Sequence, residues 1–220
     1  KREERTDELM NSKTLNKIEG RSRRSESGST RKAIFLRNSV IKVPDRGEKT
    51  IQSIGDKVLA YAAKGLRLND LVDNCSNNVL EQFITEWRVW VCCPGKLRHL
   101  LAPIRQFGFT EKGIPYTIMK KMEVFSEEEV DEFDNTYGGC GDIYELGEIL
   151  EINYDVQIWD NFGEDALSLC HKFGLGIADF DSNPGNLGFE YEGEAEIKRI
   201  RFIDYGFKTH GGKDDRWNPL

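Results

Sequence analysis

Lysine and arginine are absent from residues 123–165, a span that holds fifteen aspartates and glutamates. So many like charges repel one another, and the usual outcome is a solvated face that suits a basic partner. The whole chain is acidic too, with a formal net charge of -7 and a pI near 5.2. Sequence-independent binding to nucleic acid is therefore not expected. No apolar run is long enough to span a membrane, and the charged first residues do not read as a signal peptide. Cysteine is sparse. Cys75, Cys92, Cys93, Cys140 and Cys170 form no CxxC pair and leave an odd thiol, which excludes a disulfide framework or a zinc site and points to a reducing, cytoplasmic setting.

What is present suits a folded chain. Of the 220 residues 38% are hydrophobic and 10% aromatic, enough for one domain or two small lobes sharing a cleft. Residues 1–32 reverse the acidic bias, with ten Lys/Arg against six Asp/Glu. The tract "RSRRSESGST" within them reads as flexible. "RKAIFL" and "NSVIKVP" then predict two strands separated by a turn at Arg37 and Asn38. Helical patterns cover 54–72, 77–91 and 164–174, and "GIPYTIMKKME" (113–123) predicts a strand. Ser126 with Glu129 forms a capping box that opens an acidic helix. "LGFEYEG" and "IKRIRFIDYGF" predict an antiparallel hairpin. The order gives an α+β chain. Cys92 and Cys93 read as small core residues, and His171 as a packed, hydrogen-bonded histidine.

The chemistry concentrates in "DFDSNPGNLGF" and "RFIDYGF". Transfer of a phosphoryl group from ATP needs a cation on the phosphates, hard oxygens for Mg²⁺ and a group orienting the acceptor hydroxyl. Asp181, Asn186 and Asp204 supply such oxygens, and the hairpin folds Asp204 back toward the loop. Alone, the Asp181/Asn186 spacing is what any turn would show. Lys42 is a lone cation in the apolar strand "VIKV" and needs a carboxylate. Helix geometry chooses between two. With Phe83 as zero and about 100° per residue, the apolar stripe runs from roughly −40° to +100°. Glu86 then lies at about −60°, on the flank of the stripe, while Glu81 at about 160° faces solvent.

These residues together resemble the protein-kinase-like superfamily. "DSNPGN" matches its catalytic loop, Asp204-Tyr205-Gly206 its metal motif, Lys42 its strand lysine and Glu86 its helix glutamate. The short, divergent style is similar to the early protein kinases of T7-like phages, which would place the chain in a host cytoplasm. The resemblance implies a bilobal fold: a flexible tail over 1–27, a small β-rich N-lobe over 28–123 and a reduced helical C-lobe over 124–220. It implies Mg-ATP as cofactor. Asp181 would orient the acceptor, Asn186 and Asp204 would hold metal, and Lys42 paired with Glu86 would position phosphates covered by the Gly28 backbone. Met119 would be the gatekeeper, with Lys120 to Met122 along the adenine-binding hinge.

The departures from the pattern are specific. Asp179-Phe180 replace the usual His-Arg, Asn183 replaces a lysine, and only Gly28 serves the phosphate loop. Sixteen residues follow Asp204, too few for an activation segment and peptide-binding helices. These differences bear on acceptor class and activity level more than on nucleotide binding. A protein serine/threonine kinase with a basic substrate is the leading expectation, with autophosphorylation at Ser25 or Ser27, which follow Arg23 and Arg24. A small-molecule phosphotransferase similar to aminoglycoside or choline kinases is one alternative. A non-catalytic pseudokinase that inhibits a partner is the other.

Overall fold

The computed structural model describes residues 25–27, 30–65, 78–137, 162–175, 184–192 and 196–205. The chain divides into two compact units, Lys1–Trp87 with Pro103–Lys121, and Arg88–Ala102 with Met122–Leu220. The architecture is α+β, with antiparallel sheets and separate helices.

The first unit is built on five strands: β1 Ser25–Ser27, β2 Arg31–Phe35, β3 Ser39–Pro44, β4 Ile104–Phe109 and β5 Pro115–Lys120. They run antiparallel in the order β1-β2-β3-β5-β4. The turn at Arg37 and Asn38 is present, closed by the Leu36 N–H donating to the Ser39 carbonyl at 2.8 Å. Alternation sorts the side chains. Ile34, Ile41, Val43 and Tyr116 form a buried cluster on one face. The other face carries Arg31, Ala33, Lys42 and Thr117, with Phe107 paired to Thr117.

Two helices accompany this sheet, α1 Glu48–Ala63 and α2 Asn78–Cys92. Their apolar stripes meet Phe107 in a second cluster of Ile54, Val58, Leu80, Phe83 and Ile84, with Trp87 stacked on Phe107 at 5.5 Å. Helix α1 starts six residues before the expected Ile54, because its first turn is polar and carries no apolar period. It ends at Ala63, and Gly65 follows at φ 65; the remainder of the expected 54–72 helix lies outside the described residues. Two further segments depart from expectation. Ser25–Ser27, expected as the end of a flexible tail, pairs with β2 through Ser27–Lys32 and Ser25–Ile34. Strand β4 was hidden by a register shift between Ile104 and Gln106, which breaks the alternation a strand normally shows.

The second unit holds the 3₁₀ turn Arg98–Leu100, α3 Glu127–Tyr137, α4 Phe162–Phe173, and the hairpin of β6 Leu187–Glu192 and β7 Glu196–Phe202. Helix α3 opens on the expected box. The Ser126 N–H donates to Glu129 Oε2 at 2.6 Å, and the Glu129 N–H donates to Ser126 Oγ at 3.2 Å. Helix α4 closes on Gly174 at φ 60, and the Leu175 N–H returns to the Cys170 carbonyl at 3.0 Å, a glycine-capped end. The hairpin is fastened to residues 98–102. Arg201, buried, donates to the His99 and Leu101 carbonyls, both at 3.0 Å, and pairs with Glu190 at 3.1 Å. Cys93 is buried but Cys92 is exposed at the end of α2, and His171 is exposed on α4. Both corrections have one cause: each lies a helical step off the apolar stripe of its helix.

Candidate functional site

Lys42 stands in the central strand β3, between Ala33 on one side and Thr117 on the other. Both neighbours are short, so the lysine stem has room to cross the sheet face toward α2. Its Nζ donates to Glu86 Oε1 at 2.7 Å. Glu86 is 0% exposed and Lys42 only 9%, so this is a buried ion pair. Helix phase decides the partner: Glu86 shares a face with Gln82 and Phe83 one turn earlier. Glu81 remains half-buried on another side.

Lys42 does not have Glu86 to itself. Arg31 Nη1 on β2 lies 3.2 Å from Glu86 Oε2. Its guanidinium also sits over the Phe83 ring at 5.5 Å. Next to it, Thr30 Oγ1 donates to Gln82 Oε1 at 2.6 Å. Arg31 and Thr30 escaped the sequence reading. The signal was nonetheless present: Arg31 precedes Ala33 by two residues, and antiparallel pairing puts Ala33 opposite Lys42.

Met119 is buried on β5, opposite Val40. The Lys120 N–H donates to the Pro103 carbonyl at 2.9 Å and the Lys121 N–H to the Asn38 carbonyl at 3.3 Å. The chain passes from the first unit to the second between Lys121 and Met122. In the second unit Met122 is buried over Gly188, where any Cβ would come within 2.5 Å of Met122 Cβ.

Asn186 ends the 3₁₀ turn Pro184–Asn186 directly before β6. Leu187 pairs with Phe202, and one step further out the Ile203 N–H donates to the Asn186 carbonyl at 2.8 Å. Asp204 is the next residue, so the hairpin brings Asn186 and Asp204 to the same end. Tyr205 is fully buried and its hydroxyl donates to the Ala102 carbonyl at 3.0 Å, which fixes the backbone just past Asp204. Asn186 and Asp204 are both half-buried. An amide oxygen and a carboxylate are the hard donors Mg²⁺ takes, and partial exposure leaves room for the waters it retains. Asp181, Gly28 and Gly206 lie outside the described residues, and of Ser25 and Ser27 only the backbone is described.

No family model and no curated protein matches the chain. Among solved structures, it is similar to a co-crystal structure of WbdD and the kinase inhibitor LY294002, at 14% identity and a TM-score of 0.40. That alignment covers 82% of this chain and 31% of the other, so the chain spans about a third of the WbdD length.

Proposed function

We propose that the chain is a small ATP- and magnesium-dependent phosphotransferase of the protein-kinase-like kind, acting on a protein serine or threonine hydroxyl. The observation that carries this reading is the buried Lys42–Glu86 pair at 2.7 Å. Burying an ion pair gives little net stability, and apolar residues of the same volume would often serve the fold as well. A charged pair retained there is better explained by a ligand that needs the ammonium.

The residues fit the cofactor by their chemistry. Lys42, steadied by Glu86, would bind phosphate oxygens, and Asn186 with Asp204 would hold the magnesium that neutralises charge as the phosphoryl group moves. Asp181 would orient the acceptor hydroxyl and receive its proton. Gly28 would bring backbone N–H groups over the phosphates. Met119 would line the adenine site beside the backbone of Lys120 to Met122. Among the described residues the Met122 N–H has no backbone partner, which suits a donor to the base. The acidic span 123–165 favours a basic protein acceptor, with Ser25 or Ser27 after Arg23-Arg24 as the nearest example.

Titrating Mg-ATP while following thermal unfolding tests the nucleotide site. The melting temperature should rise with ligand, and Lys42→Met or Asp204→Asn should abolish the rise. An unchanged wild-type melting temperature at saturating Mg-ATP overturns the reading. Labelled ATP then sorts the acceptor: label on the chain itself or on lysate proteins supports a protein kinase. Label on small-molecule panels only points to the aminoglycoside- or choline-kinase-like alternative, and binding without transfer to a pseudokinase.

A further inference from the structure

We propose that Arg31 is a positioning residue of the nucleotide site, acting on Lys42 through Glu86; this rests on the phosphotransferase reading above. Glu86 is 0% exposed, and its two oxygens serve two cations from neighbouring strands: Oε1 takes Lys42 at 2.7 Å and Oε2 faces Arg31 at 3.2 Å. A carboxylate with one partner can follow that partner or turn about its own torsions. One with a cation beside each oxygen is held by both charges, although at Oε2 the contact is an ion pair without hydrogen-bond geometry. When an ammonium divides its donors between Glu86 and a phosphate, the buried carboxylate loses part of its compensation, which is costly for a group shielded from solvent. Arg31 supplies the second charge that keeps Glu86 compensated throughout, so Lys42 can lean toward the ligand without Glu86 following it.

Arg31 and its neighbour Thr30 also hold the helix itself. Arg31 lies over Phe83 and Thr30 donates to Gln82, so the start of β2 fastens α2 at Gln82, Phe83 and Glu86, all on one face. Glu86 is thus set by attachments that need no nucleotide. The helix is locked in place before any ligand arrives, and Arg31 presets the distance at which Lys42 meets phosphate.

The test compares the full chain with Arg31→Met, which keeps the bulk without the charge, and Arg31→Lys, which keeps the charge without the fork. Affinity for Mg-ATP is measured by calorimetry at a temperature where each variant is folded. Arg31→Met should bind on the order of tenfold more weakly, the loss of one neighbouring charge at Glu86, and Arg31→Lys should recover most of the affinity. A purely structural arginine would lower the unfolding midpoint and leave affinity in the folded protein unchanged, and that result overturns the proposal. Should Arg31→Met fail to fold, Arg31→Gln is read by the same criterion. A wild-type chain that does not bind Mg-ATP removes the phosphotransferase reading and this one with it; binding equal in wild type and Arg31→Met removes this one alone.

Discussion

Replacing Glu86 by leucine should destabilise the protein more than replacing either cation it serves. The geometry gives the reason. At an effective dielectric constant near 20, an oxygen–nitrogen separation of 2.7 Å corresponds to a gross attraction of roughly 6 kcal/mol, and 3.2 Å to roughly 5 kcal/mol. Most of each is offset by the desolvation of groups that are nearly or wholly buried. Lys42→Met gives up the first attraction but also removes the burial penalty of one cation, and Glu86 stays compensated by Arg31. Its net cost should be about 1.5–3 kcal/mol. Glu86→Leu leaves Arg31 and Lys42 buried on one sheet face, repelling each other, and should cost about 3–5 kcal/mol. Urea unfolding, with tryptophan fluorescence reporting on Trp87 in its stack on Phe107, measures both. With m near 1–3 kcal/mol per M, the Glu86 variant should lose roughly 2 M in midpoint. The triple change Arg31→Met, Lys42→Met, Glu86→Leu should recover most of that loss, since an apolar trio of similar volume replaces the ion cluster. If Glu86→Leu costs no more than Lys42→Met, or the triple variant is as unstable as Glu86→Leu, the shared-carboxylate argument is wrong.

Gly113→Ala should cost well over 1 kcal/mol by thermal unfolding, because φ is 72 and the new Cβ would stand 2.5 Å from the Gly55 carbonyl. Gly174→Ala, at φ 60 but with open space around it, should cost only about 1 kcal/mol; equal losses would refute the packing argument. Ser126→Ala should remove about 1 kcal/mol from the start of α3. The Ser126 N–H and hydroxyl hold the Glu129 carboxyl below its ordinary pKa, so the cap stabilises above the unfolded value and fades as pH falls through the folded one. Helicity that is insensitive to acid in wild type, or equally sensitive in Ser126→Ala, would contradict this. Among the described cysteines, iodoacetamide at pH 8 should modify exposed Cys92 and spare Cys93, whose thiol burial pushes up to about 11, leaving about one thiolate in a thousand. Mass mapping that finds Cys93 labelled as fast as Cys92 would overturn that account.

Regular patterns were legible in the sequence, and interruptions of pattern were not. Strands β2 and β3 alternate cleanly, and α2 carries a stripe clear enough that phase alone separated Glu86 from Glu81. The hairpin β6–β7 and the Ser126 cap rest on local chemistry that needs no tertiary knowledge. Strand β4 was missed because its bulge shifts Gln106 out of alternation and Gly108 adds no side chain. Strand β1 was missed because "SES" is short and polar, and so leaves no compositional trace of a strand. Arg31 is the instructive case: its identity was visible, but its role depends on which residue of β3 lies opposite Ala33. A one-residue slip in register would have turned it to the other face.

The path of the chain decides how the protein can be divided. Residues 88–102 belong with the second unit although strands of the first unit's sheet precede and follow them in sequence. A cut after Lys121 would therefore not yield two self-sufficient pieces. The fragment from Met122 onward would keep Arg201, Phe202 and Tyr205 but lose His99, Leu101 and Ala102. The guanidinium would keep Glu190 but lose the His99 and Leu101 carbonyls, the Phe202 carbonyl would lose the Ala102 N–H, and the Tyr205 hydroxyl would lose the Ala102 carbonyl. Adding residues 88–102 back as a separate peptide would have to restore those bonds from solution, against the entropy of association. The two units are interleaved in sequence, so no single cut of the chain separates them.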